Sequence, residues 1–316
     1  MASADGDVPV ESDGFSSSAS QEAVFEATTL PLVRDLILGM RDGLLFAYGI
    51  TSSGKSHSIQ GTPSQPGLLP RTLKLITSWL NDKDGKHEYA VMVSYTEVYN
   101  DRVYDLLDIE QLATQANRVN NEDHYLEGVT EVRVRTIDEA MAVFESGQRN
   151  RAVYSTQLNS DSSRSHALFN IKLIRLHKDA ILEPGKQIKS SYEQNASCRI
   201  SQLTLVDLAG SERPDKTQAS GNRLREAGKI NQSLLDLGSV LQALRDNQYE
   251  SDKRKHKLIP FRNSELTKLF KSPLTGGKAG VVMLVTVNPY DSSRNETRKV
   301  LDFSAVASSV FTIVNK

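Results

Sequence analysis

The sequence predicts a single α/β domain in which helices flank a central mixed, largely parallel β-sheet. Short apolar runs alternate with segments of helical periodicity along most of the chain, which is typical of this fold class. Two apolar runs, 166–177 and 197–210, are joined by a long polar stretch and predict one antiparallel hairpin. We find no tandem repeat or strong linker, and the 316 residues suit one domain with a sizeable core.

The first predicted element is a helical pattern over 21–40, which Pro31 is expected to kink or break. The apolar run 43–49 lies between glycines and predicts a buried strand. Thr136 and Glu139 have capping-box spacing, so a helix is predicted to begin there. The other predicted elements are a helix at 68–81, a strand opening 88–107, the longest helix at 222–248, a shorter helix at 264–274, the most hydrophobic strand at 280–289 and a last helix at 293–310.

Composition and charge argue against several classes of protein. The formal net charge is -1, so partners must be recognised through local clusters, and we expect neither nucleic acid nor a membrane as a partner. Cys198 is the only cysteine, which excludes a disulfide framework and predicts a cytoplasmic or nuclear location. No apolar run reaches the roughly 18 to 20 residues of a membrane span. The acidic, serine-rich N-terminus has no signal-peptide pattern.

Residues 49–56 match the phosphate-binding P-loop pattern in full, with Gly49, Gly54, Lys55 and Ser56 at the required spacing. The glycines permit backbone angles that turn consecutive N–H groups towards an anion. Lys55 can reach the outer phosphates of a nucleotide, and the Ser56 hydroxyl can ligate magnesium. The alternative is a chance glycine–lysine loop. The preceding apolar strand and the helical segment downstream favour the P-loop.

Two further motifs complete a candidate site. Asp207 ends an apolar strand in the Walker-B arrangement, and Gly210 stands where related loops use a backbone N–H to sense a γ-phosphate. Taken alone, Asp207 is equally compatible with an ordinary turn residue, but the P-loop upstream favours the metal role. The stretch 162–166 packs serines around Arg164 directly before a strand, where a bland surface loop is the alternative.

Taken together, the three motifs resemble those of the kinesin motor domain. "GITSSGKSH" resembles the family's P-loop, "NSDSSRSH" its switch I and "DLAGSE" its switch II. "EVYNDRVYDLL", "REAGKINQSLLDLG" and "IPFRNSELTKLF" are similar to three further kinesin stretches. The resemblance covers roughly 17–310 and looks strongest to the mitotic-kinesin-like branch, which works in the spindle midzone and cytokinesis. It implies a P-loop NTPase of the kinesin-motor fold, with ATP and Mg²⁺ as ligands.

The resemblance also implies which residues hold the nucleotide and the metal. Lys55 would contact the β- and γ-phosphates, and His57 would lie near the adenine, although an ordinary surface histidine is the alternative. Ser56 and Ser163 would ligate magnesium, with Asp207 acting through water. The residues implied in ATP binding are Gly49, Ile50, Thr51, Ser52, Ser53, Gly54, Lys55, Ser56 and His57.

Four residues have implied catalytic roles. Ser162 would help to position the attacking water, and Gly210 would donate its N–H to the γ-phosphate. Arg164 and Glu212 match the salt bridge between switch I and switch II that closes the site. An ion pair that forms only in the closed state would couple phosphate contact to loop order.

A basic run at 253–257, "KRKHK", stands in a region that faces the acidic surface of tubulin in kinesins. A solvated basic loop and a nuclear localisation signal are the alternatives. Clustered cations on a nearly neutral protein would steer association with microtubules and make it sensitive to salt. The predicted microtubule-binding residues are Lys229, Asn231, Lys253, Arg254, Lys255, Lys257 and Arg262.

The front of the chain departs from the family pattern. Kinesins begin with a strand carrying Arg-x-Arg-Pro that packs on adenine, whereas residues 1–16 contain no arginine and no apolar strand. The expected organisation is a disordered lead-in (1–16), a motor domain lacking its N-terminal strand and small lobe (17–309) and the start of a neck linker (310–316). Truncation is the favoured explanation, and a divergent motor with compromised folding and adenine binding is the alternative. The missing strand is expected to neighbour the strand that leads into the P-loop. Its loss is expected to leave unpaired backbone groups in the interior and an exposed sheet edge.

The predicted function is therefore a microtubule-stimulated ATPase that acts as a motor on the microtubule cytoskeleton and spindle. One alternative is a microtubule-binding module with weak or no ATPase, because the adenine-binding front is missing. An unrelated P-loop enzyme, such as a small-molecule kinase, and a depolymerising kinesin are further alternatives. The resemblance suggests plus-end movement, and homodimers of a full-length protein that has a stalk.

Overall fold

The structure is a computed structural model, and it describes residues 14–81, 87–108, 126, 128–157, 162–177, 198–212, 222–275, 279–288 and 294–310. Most of the expected lead-in (1–16) therefore lies outside the described residues. The same holds for 311–316, which make up nearly all of the expected neck linker.

Helices and strands alternate through the described chain, as predicted. The helices are α1 (Gln21–Thr28), α2 (Leu30–Arg34), α3 (Lys55–Gln60), α4 (Leu68–Asn81), α5 (Ile137–Gln157), α6 (Asn222–Tyr249), α7 (Glu265–Thr275) and α8 (Arg294–Ala307). The strands are β1 (Gly43–Tyr48), β2 (His87–Tyr99), β3 (Arg102–Asp105), β4 (Val132–Val134), β5 (His166–His177), β6 (Cys198–Asp207) and β7 (Gly280–Val285). A π-helical turn covers Asp35–Gly39, and 3₁₀ turns cover Ser162–Arg164, Lys253–Lys255 and Phe261–Asn263.

The strands form one mixed sheet in the order β3-β2-β5-β6-β1-β7, with β4 also paired to β2. Parallel pairing is confined to β6-β1-β7. The predicted hairpin is present as β5 and β6, and β2 pairs antiparallel with β3, β4 and β5. The "largely parallel" part of the prediction is therefore wrong for the described residues. A short turn explains the antiparallel pair β2 and β3, whereas the long connections that join the other strands permit either direction, so the alternating pattern did not reveal it.

The P-loop strand β1 is paired on both sides, to β6 and to β7. Leu45, for example, stands opposite Leu205 on one side and Val282 on the other. The expectation of unpaired backbone groups beside this strand is therefore wrong. The reason is that β7 occupies the neighbouring position, so the edge of the described sheet falls on β7 instead.

Local sequence accounts for the element boundaries. The Ser20 hydroxyl accepts the Ala23 N–H at 3.1 Å and caps α1. Pro31 lies in the first turn of α2 and separates it from α1, because proline has no N–H to continue a helix. The Thr136 hydroxyl accepts the Glu139 N–H at 3.2 Å, which confirms the predicted cap of α5.

The sheet lies between two layers of helices, and β1 shows how it is shared. Leu45 and Ala47 pack in the core formed with α1, α2, α4 and α5. Leu44 and Phe46 point to the opposite face and pack with α6, α7 and α8. Alternate side chains of a strand point to opposite faces, so a continuous apolar run suits a strand buried on both sides. Within the described ranges, no helix has the combined length and apolarity needed to span a bilayer.

Candidate functional site

The P-loop leaves the carboxyl end of β1 and runs directly into α3, as predicted. Gly49 passes so close to Thr286 that a Cβ atom would overlap the Thr286 carbonyl and hydroxyl oxygens. The Ser53 hydroxyl donates to the Ile50 carbonyl at 2.7 Å and lies 2.6 Å from the Thr286 hydroxyl. Gly54 has a φ of 104° at the N-cap of α3, a left-handed geometry that favours glycine. Both glycines are thus needed for the shape of the loop.

Lys55 is buried inside the loop, with 7% of its surface exposed. Its ammonium donates to the Gly49 carbonyl at 2.9 Å and to the Ile50 carbonyl at 2.8 Å. Burial lowers the pKa of Lys55, while the carboxylates of Asp207 and Glu212 oppose that shift. The geometry therefore holds a cation at the loop, where an anionic ligand can exchange with the carbonyls.

A polar pair joins α3 to the end of β6. The Ser56 hydroxyl donates to Asp207 Oδ2 at 2.5 Å. The other carboxylate oxygen, Oδ1, is buried and has no hydrogen-bond partner among the described residues. A buried carboxylate oxygen without a donor, next to a hydroxyl, fits a hydrated Mg²⁺, which prefers oxygen ligands and keeps several waters.

A protein-only metal cage is not found in the part of the chain that the structure describes. No cluster of three or more His, Cys, Asp or Glu side chains there could hold a metal ion. Magnesium at Ser56 and Asp207 would therefore take its other ligands from hydroxyls, phosphate and water, which is the usual arrangement for this ion.

Two backbone hydrogen bonds bring the three motifs together. The Gly210 N–H donates to the Ser163 carbonyl at 3.0 Å and so joins the Walker-B segment to the serine-rich turn. The next N–H, that of Ser211, donates to the Gly49 carbonyl of the P-loop at 3.1 Å. Segments far apart in the sequence thus share one site at the carboxyl ends of β1 and β6.

Glu212 is bound to the P-loop. Its carboxylate accepts the Thr51 backbone N–H at 2.8 Å and also the Thr51 hydroxyl. Gly210 lies against both groups, and a Cβ at this position would overlap the Thr51 hydroxyl and the Glu212 carboxylate. Arg164 is half-buried in the turn beside them. The ion pair between Arg164 and Glu212 that the resemblance implies stays a prediction, as does the role of Ser162.

His57 is exposed on α3 and contacts the start of α1. Gln21 Nε2 lies 3.0 Å from His57 Nδ1 and donates to the His57 carbonyl at 3.0 Å. The contact links two short helices beside the loop. An adenine-facing role for His57 remains a prediction.

A buried ion pair supports the serine-rich turn from below and was not predicted from the sequence. Arg151 of α5 donates to Glu97 Oε1 of β2 at 2.9 Å, and the two side chains are 5% and 3% exposed. The Ser165 hydroxyl donates to the same oxygen at 2.5 Å and accepts from Arg151 at 2.9 Å. Glu97 lies 54 residues from Arg151 and 68 from Ser165, so no local pattern reveals the cluster.

His166, the first residue of β5, is also buried and was not predicted as a site residue. Its Nδ1 accepts the Ala209 N–H at 3.0 Å, and its Nε2 lies 2.8 Å from the Ser233 hydroxyl of α6. Burial, together with the smaller effects of the cations Arg151 and Lys55, lowers the pKa of His166 to about 3. The imidazole is therefore neutral, and the bond from Ala209 places its proton on Nε2.

The basic run forms an exposed turn at the end of α6. The Asp252 carboxylate accepts the Arg254 N–H at 3.0 Å and caps the 3₁₀ turn. Asn247 of α6 accepts the Lys257 N–H at 2.7 Å and donates to the Lys257 carbonyl at 2.8 Å. The Lys257 ammonium bonds to Asp246 at 2.8 Å and is the main cause of the lowered pKa of Asp246.

The remaining predicted microtubule-binding residues lie on or beside α6. Lys229 is exposed and Asn231 half-buried near the start of the helix, and Arg262 is exposed on the turn Phe261–Asn263, which packs against α6. The structure thus places all seven candidates on α6 and the turns that follow it. Their binding role is not tested by this arrangement.

A family model described as "Kinesin motor domain" matches residues 12–310. The chain is 36% identical over 369 residues to mouse "Kinesin-like protein KIF23", covering 94% of this chain and 38% of that protein. It is 35% identical to the "Kinesin heavy chain" of the squid Doryteuthis pealeii, covering 94% and 29% of the two chains. It is 37% identical to mouse "Chromosome-associated kinesin KIF4", covering 92% and 22%. The chain thus spans well under half the length of these relatives.

Solved structures show the same fold. The structure titled "Structure of a fast kinesin: Implications for ATPase mechanism and interactions with microtubules" is 33% identical with a TM-score of 0.79, covering 95% of this chain and 79% of that chain. The structure titled "KIF14[391-772] dimer two-heads-bound state - AMP-PNP in complex with a microtubule" is 32% identical with a TM-score of 0.78, covering 94% and 79%.

Proposed function

The chain belongs to the kinesin motor-domain family, and from this premise we propose that it is a microtubule motor driven by ATP hydrolysis. The observation that carries the proposal is the contact among the three motifs. Gly210 bonds to Ser163, and Glu212 bonds to Thr51 of the P-loop. An enzyme that converts phosphate contact into loop movement needs such exchangeable bonds between its switches and its phosphate loop.

The similarity to KIF23 and KIF4 supports the predicted mitotic branch of the family. A role in the spindle or in cytokinesis is accordingly part of the proposal. So are a cytoskeletal location and a homodimeric full-length protein.

The phosphate side of the proposed site follows from the P-loop geometry. Lys55 would exchange its two carbonyl acceptors for phosphate oxygens, at little cost because it is already held at the loop. Ser56, Ser163 and Asp207 are the residues that would hold magnesium. When bound, magnesium would neutralise charge that develops on the phosphates. The buried unpaired oxygen of Asp207 supports this assignment.

The switch side of the proposed site follows from the bonds of Gly210 and Glu212. The Gly210 N–H, now given to Ser163, is the group that would turn to a γ-phosphate. Glu212, now on Thr51, would move to Arg164 when the site closes. Both exchanges would displace residues 210–212, which precede α6 (Asn222–Tyr249) in the chain. Hydrolysis would thus be converted into movement of the long helix.

The track-binding part of the proposal rests on charge and exposure. Six of the seven predicted binding residues are exposed or half-exposed cations on α6 and its following turns, on a protein whose net charge is only -1. Such a local patch attracts an acidic surface and orients the encounter. The microtubule is the acidic surface that the family resemblance implies.

The deciding experiment measures ATP turnover of the chain with and without microtubules, together with co-sedimentation. We expect turnover to rise by at least about ten-fold with microtubules, which corresponds to lowering the barrier by about 1.4 kcal/mol. Gly210→Ala should abolish this rise, because its Cβ would overlap Thr51 and Glu212. The matched control is Gly14→Ala, where the added Cβ meets nothing within 4 Å.

The rival functions give different results in the same assays. Microtubule binding without turnover would identify a binding module. A rate of ATP turnover that does not change with microtubules but rises with a small phosphate acceptor would identify a small-molecule kinase. Shortening of stabilised microtubules in the presence of ATP would identify a depolymerising kinesin.

A further inference from the structure

We infer that His166 is a positioning residue that ties the γ-phosphate-sensing segment to α6 through its two ring nitrogens. The inference rests on the proposed function and deepens it, because it names the side chain through which the two moving parts are joined. His166 would touch neither nucleotide nor metal. It would act only through the backbone at Ala209 and the hydroxyl of Ser233.

The geometry around His166 leaves one assignment of its proton. A backbone N–H can only donate, so the 3.0 Å contact from Ala209 makes Nδ1 an acceptor. Nε2 therefore carries the proton and donates to the Ser233 hydroxyl at 2.8 Å. One planar ring thus bonds the segment that follows β6 on one side and α6 on the other.

The hydrogen bond from Ala209 to His166 matters because it lies directly beside the proposed γ-phosphate sensor, Gly210. Ala209 directly precedes Gly210, and the two consecutive N–H groups are both held by the segment 163–166. Ser163 holds Gly210 through its backbone carbonyl, and His166 holds Ala209 through its side chain. If Gly210 leaves Ser163 for a phosphate, the bond to His166 still holds the neighbouring peptide. Gly210 would then move by rotating about the Ala209 peptide, which His166 holds in place, rather than by moving freely.

The Ser233 bond carries that constraint to the long helix. Ser233 is buried, and next to it Leu234 and Leu237 of α6 pack into the core below the sheet. Apolar contacts of this kind resist separation but are not directional, so they orient the helix less sharply than a hydrogen bond does. A hydrogen bond to a buried imidazole has a preferred direction and fixes the register of the helix against the sheet. The neutral state of the ring keeps both bonds intact over the working pH range.

Substitutions can remove the two hydrogen bonds of His166, the one from Ala209 and the one to Ser233, separately. Ser233→Ala removes the hydrogen bond to α6 and leaves the bond from Ala209 in place. In His166→Asn the amide oxygen can replace Nδ1 towards Ala209, but the side chain is too short to reach α6. In His166→Gln the amide NH₂ can replace Nε2 towards Ser233, while the acceptor for Ala209 is lost. Ser239→Ala is the matched control, since Ser239 is an exposed α6 hydroxyl that bonds only to the Leu235 carbonyl of its own helix in the described structure.

We expect Ser233→Ala to lower the microtubule-stimulated kcat about five-fold, as for the loss of one buried hydrogen bond. The KM for ATP and the basal rate should stay near the wild-type values. A purely structural defect would instead change all three together. His166→Asn should reproduce the effect, and the double variant should fall no further, because both single changes break the same bond. Wild-type stimulation in Ser233→Ala, or an equal loss in Ser239→Ala, would overturn the inference.

A second measurement does not depend on motor activity. Hydrogen exchange of the backbone over 208–212 should become faster in Ser233→Ala and in His166→Gln, and should not change in Ser239→Ala. Equal exchange in Ser233→Ala and the wild type would also overturn the inference. If the wild type shows no microtubule stimulation, the proposed function fails. Hydrogen exchange then still decides whether His166 links Ala209 to Ser233. If His166→Gln fails to fold, Ser233→Ala carries the test with the histidine in place.

Discussion

The lysine of the P-loop and the cations of the basic turn lie in opposite environments, one buried and the other exposed. Lys55 is buried in the P-loop, and its ammonium is bonded to two backbone carbonyls. The cations of the turn Lys253–Lys255 are exposed, and the turn is held through its backbone by Asp252. A buried cation acts at short range in a fixed geometry, whereas exposed cations act over longer distances and are screened by salt. Chemistry should therefore depend on the first, and association with a track on the second.

The two regions also contain contrasting histidines. His166, behind the P-loop, is buried and bonded at both ring nitrogens. His256, in the basic run, is exposed, and its Nε2 lies 3.1 Å from the Glu250 carbonyl oxygen. Burial without a counter-charge disfavours the charged form of an imidazole. Acid should therefore disturb the first region through His166.

The largest expected effect comes from Lys55→Ala. It removes the one P-loop cation, so ATP turnover should fall at least about 100-fold, comparable to the loss of a fixed oxyanion-binding donor. Turnover is measured with saturating microtubules, and nucleotide affinity by fluorescence of a labelled ATP. Lys74→Ala is the control, since Lys74 is an exposed lysine on α4. Equal turnover in the two variants would contradict the proposed role of Lys55.

The next effect tests the exposed cations. Replacing Lys253, Arg254 and Lys255 together by Ala should weaken microtubule affinity about ten-fold at moderate salt, because each exposed charge contributes modestly. The difference from the wild type should shrink as salt rises. Co-sedimentation over a series of salt concentrations measures both effects.

The matched control for that triple variant removes three exposed cations elsewhere, at Lys74, Arg133 and Arg135. It changes the net charge by the same amount and should leave the affinity nearly unchanged. If both triple variants bind equally weakly, net charge rather than the basic turn governs association.

The third effect concerns pH. The native pKa of His166 is about 3, below the unfolded value of about 6.5, so the unfolded chain binds a proton that the native chain does not. The contribution to stability is complete above pH 6.5 and is lost as the pH falls towards 3. At pH 5.5 the loss should be about 1.4 kcal/mol.

Urea unfolding at pH 7.5 and 5.5 measures this loss. In His166→Asn the pH-dependent part due to the imidazole should disappear, whatever the overall stability of the variant. His256→Asn is the control, because it also removes a histidine but leaves His166 and its two hydrogen bonds in place. A pH dependence that is unchanged in His166→Asn would show that other groups are responsible.

The smallest effect separates one cation of the basic turn from the others. Lys257 bonds to Asp246 at 2.8 Å, so part of its charge is already offset. Lys257→Ala should therefore change microtubule affinity less than two-fold, in keeping with an exposed ion pair. Lys255→Ala should have the larger effect in the same assay. The reverse order would mean that Lys257 leaves Asp246 when the track binds.

Much of the site was predictable because its signals are local. The spacing of Gly49, Gly54, Lys55 and Ser56 predicted the loop that the structure shows between β1 and α3. Asp207 was expected at a strand end and lies there, bonded to Ser56. The bond between Glu212 and Thr51 was not predicted, and Arg164 was expected as the partner of Glu212. Thr51 lies 161 residues away, and the bond depends on how β1 and β6 are placed.

The sequence by itself determined most of the elements, although not the short strands β3 and β4, and it determined the order of the motifs. The apolar run of β1, the cap at Thr136 and the break at Pro31 depend on neighbours within a few residues, so they can be read without the fold. Only the tertiary structure decided which strands are neighbours and where the buried polar groups find partners. His166 meets Ala209 and Ser233 from 43 and 67 residues away. Those bonds form because packing brings the groups together and buried polar atoms must then be satisfied.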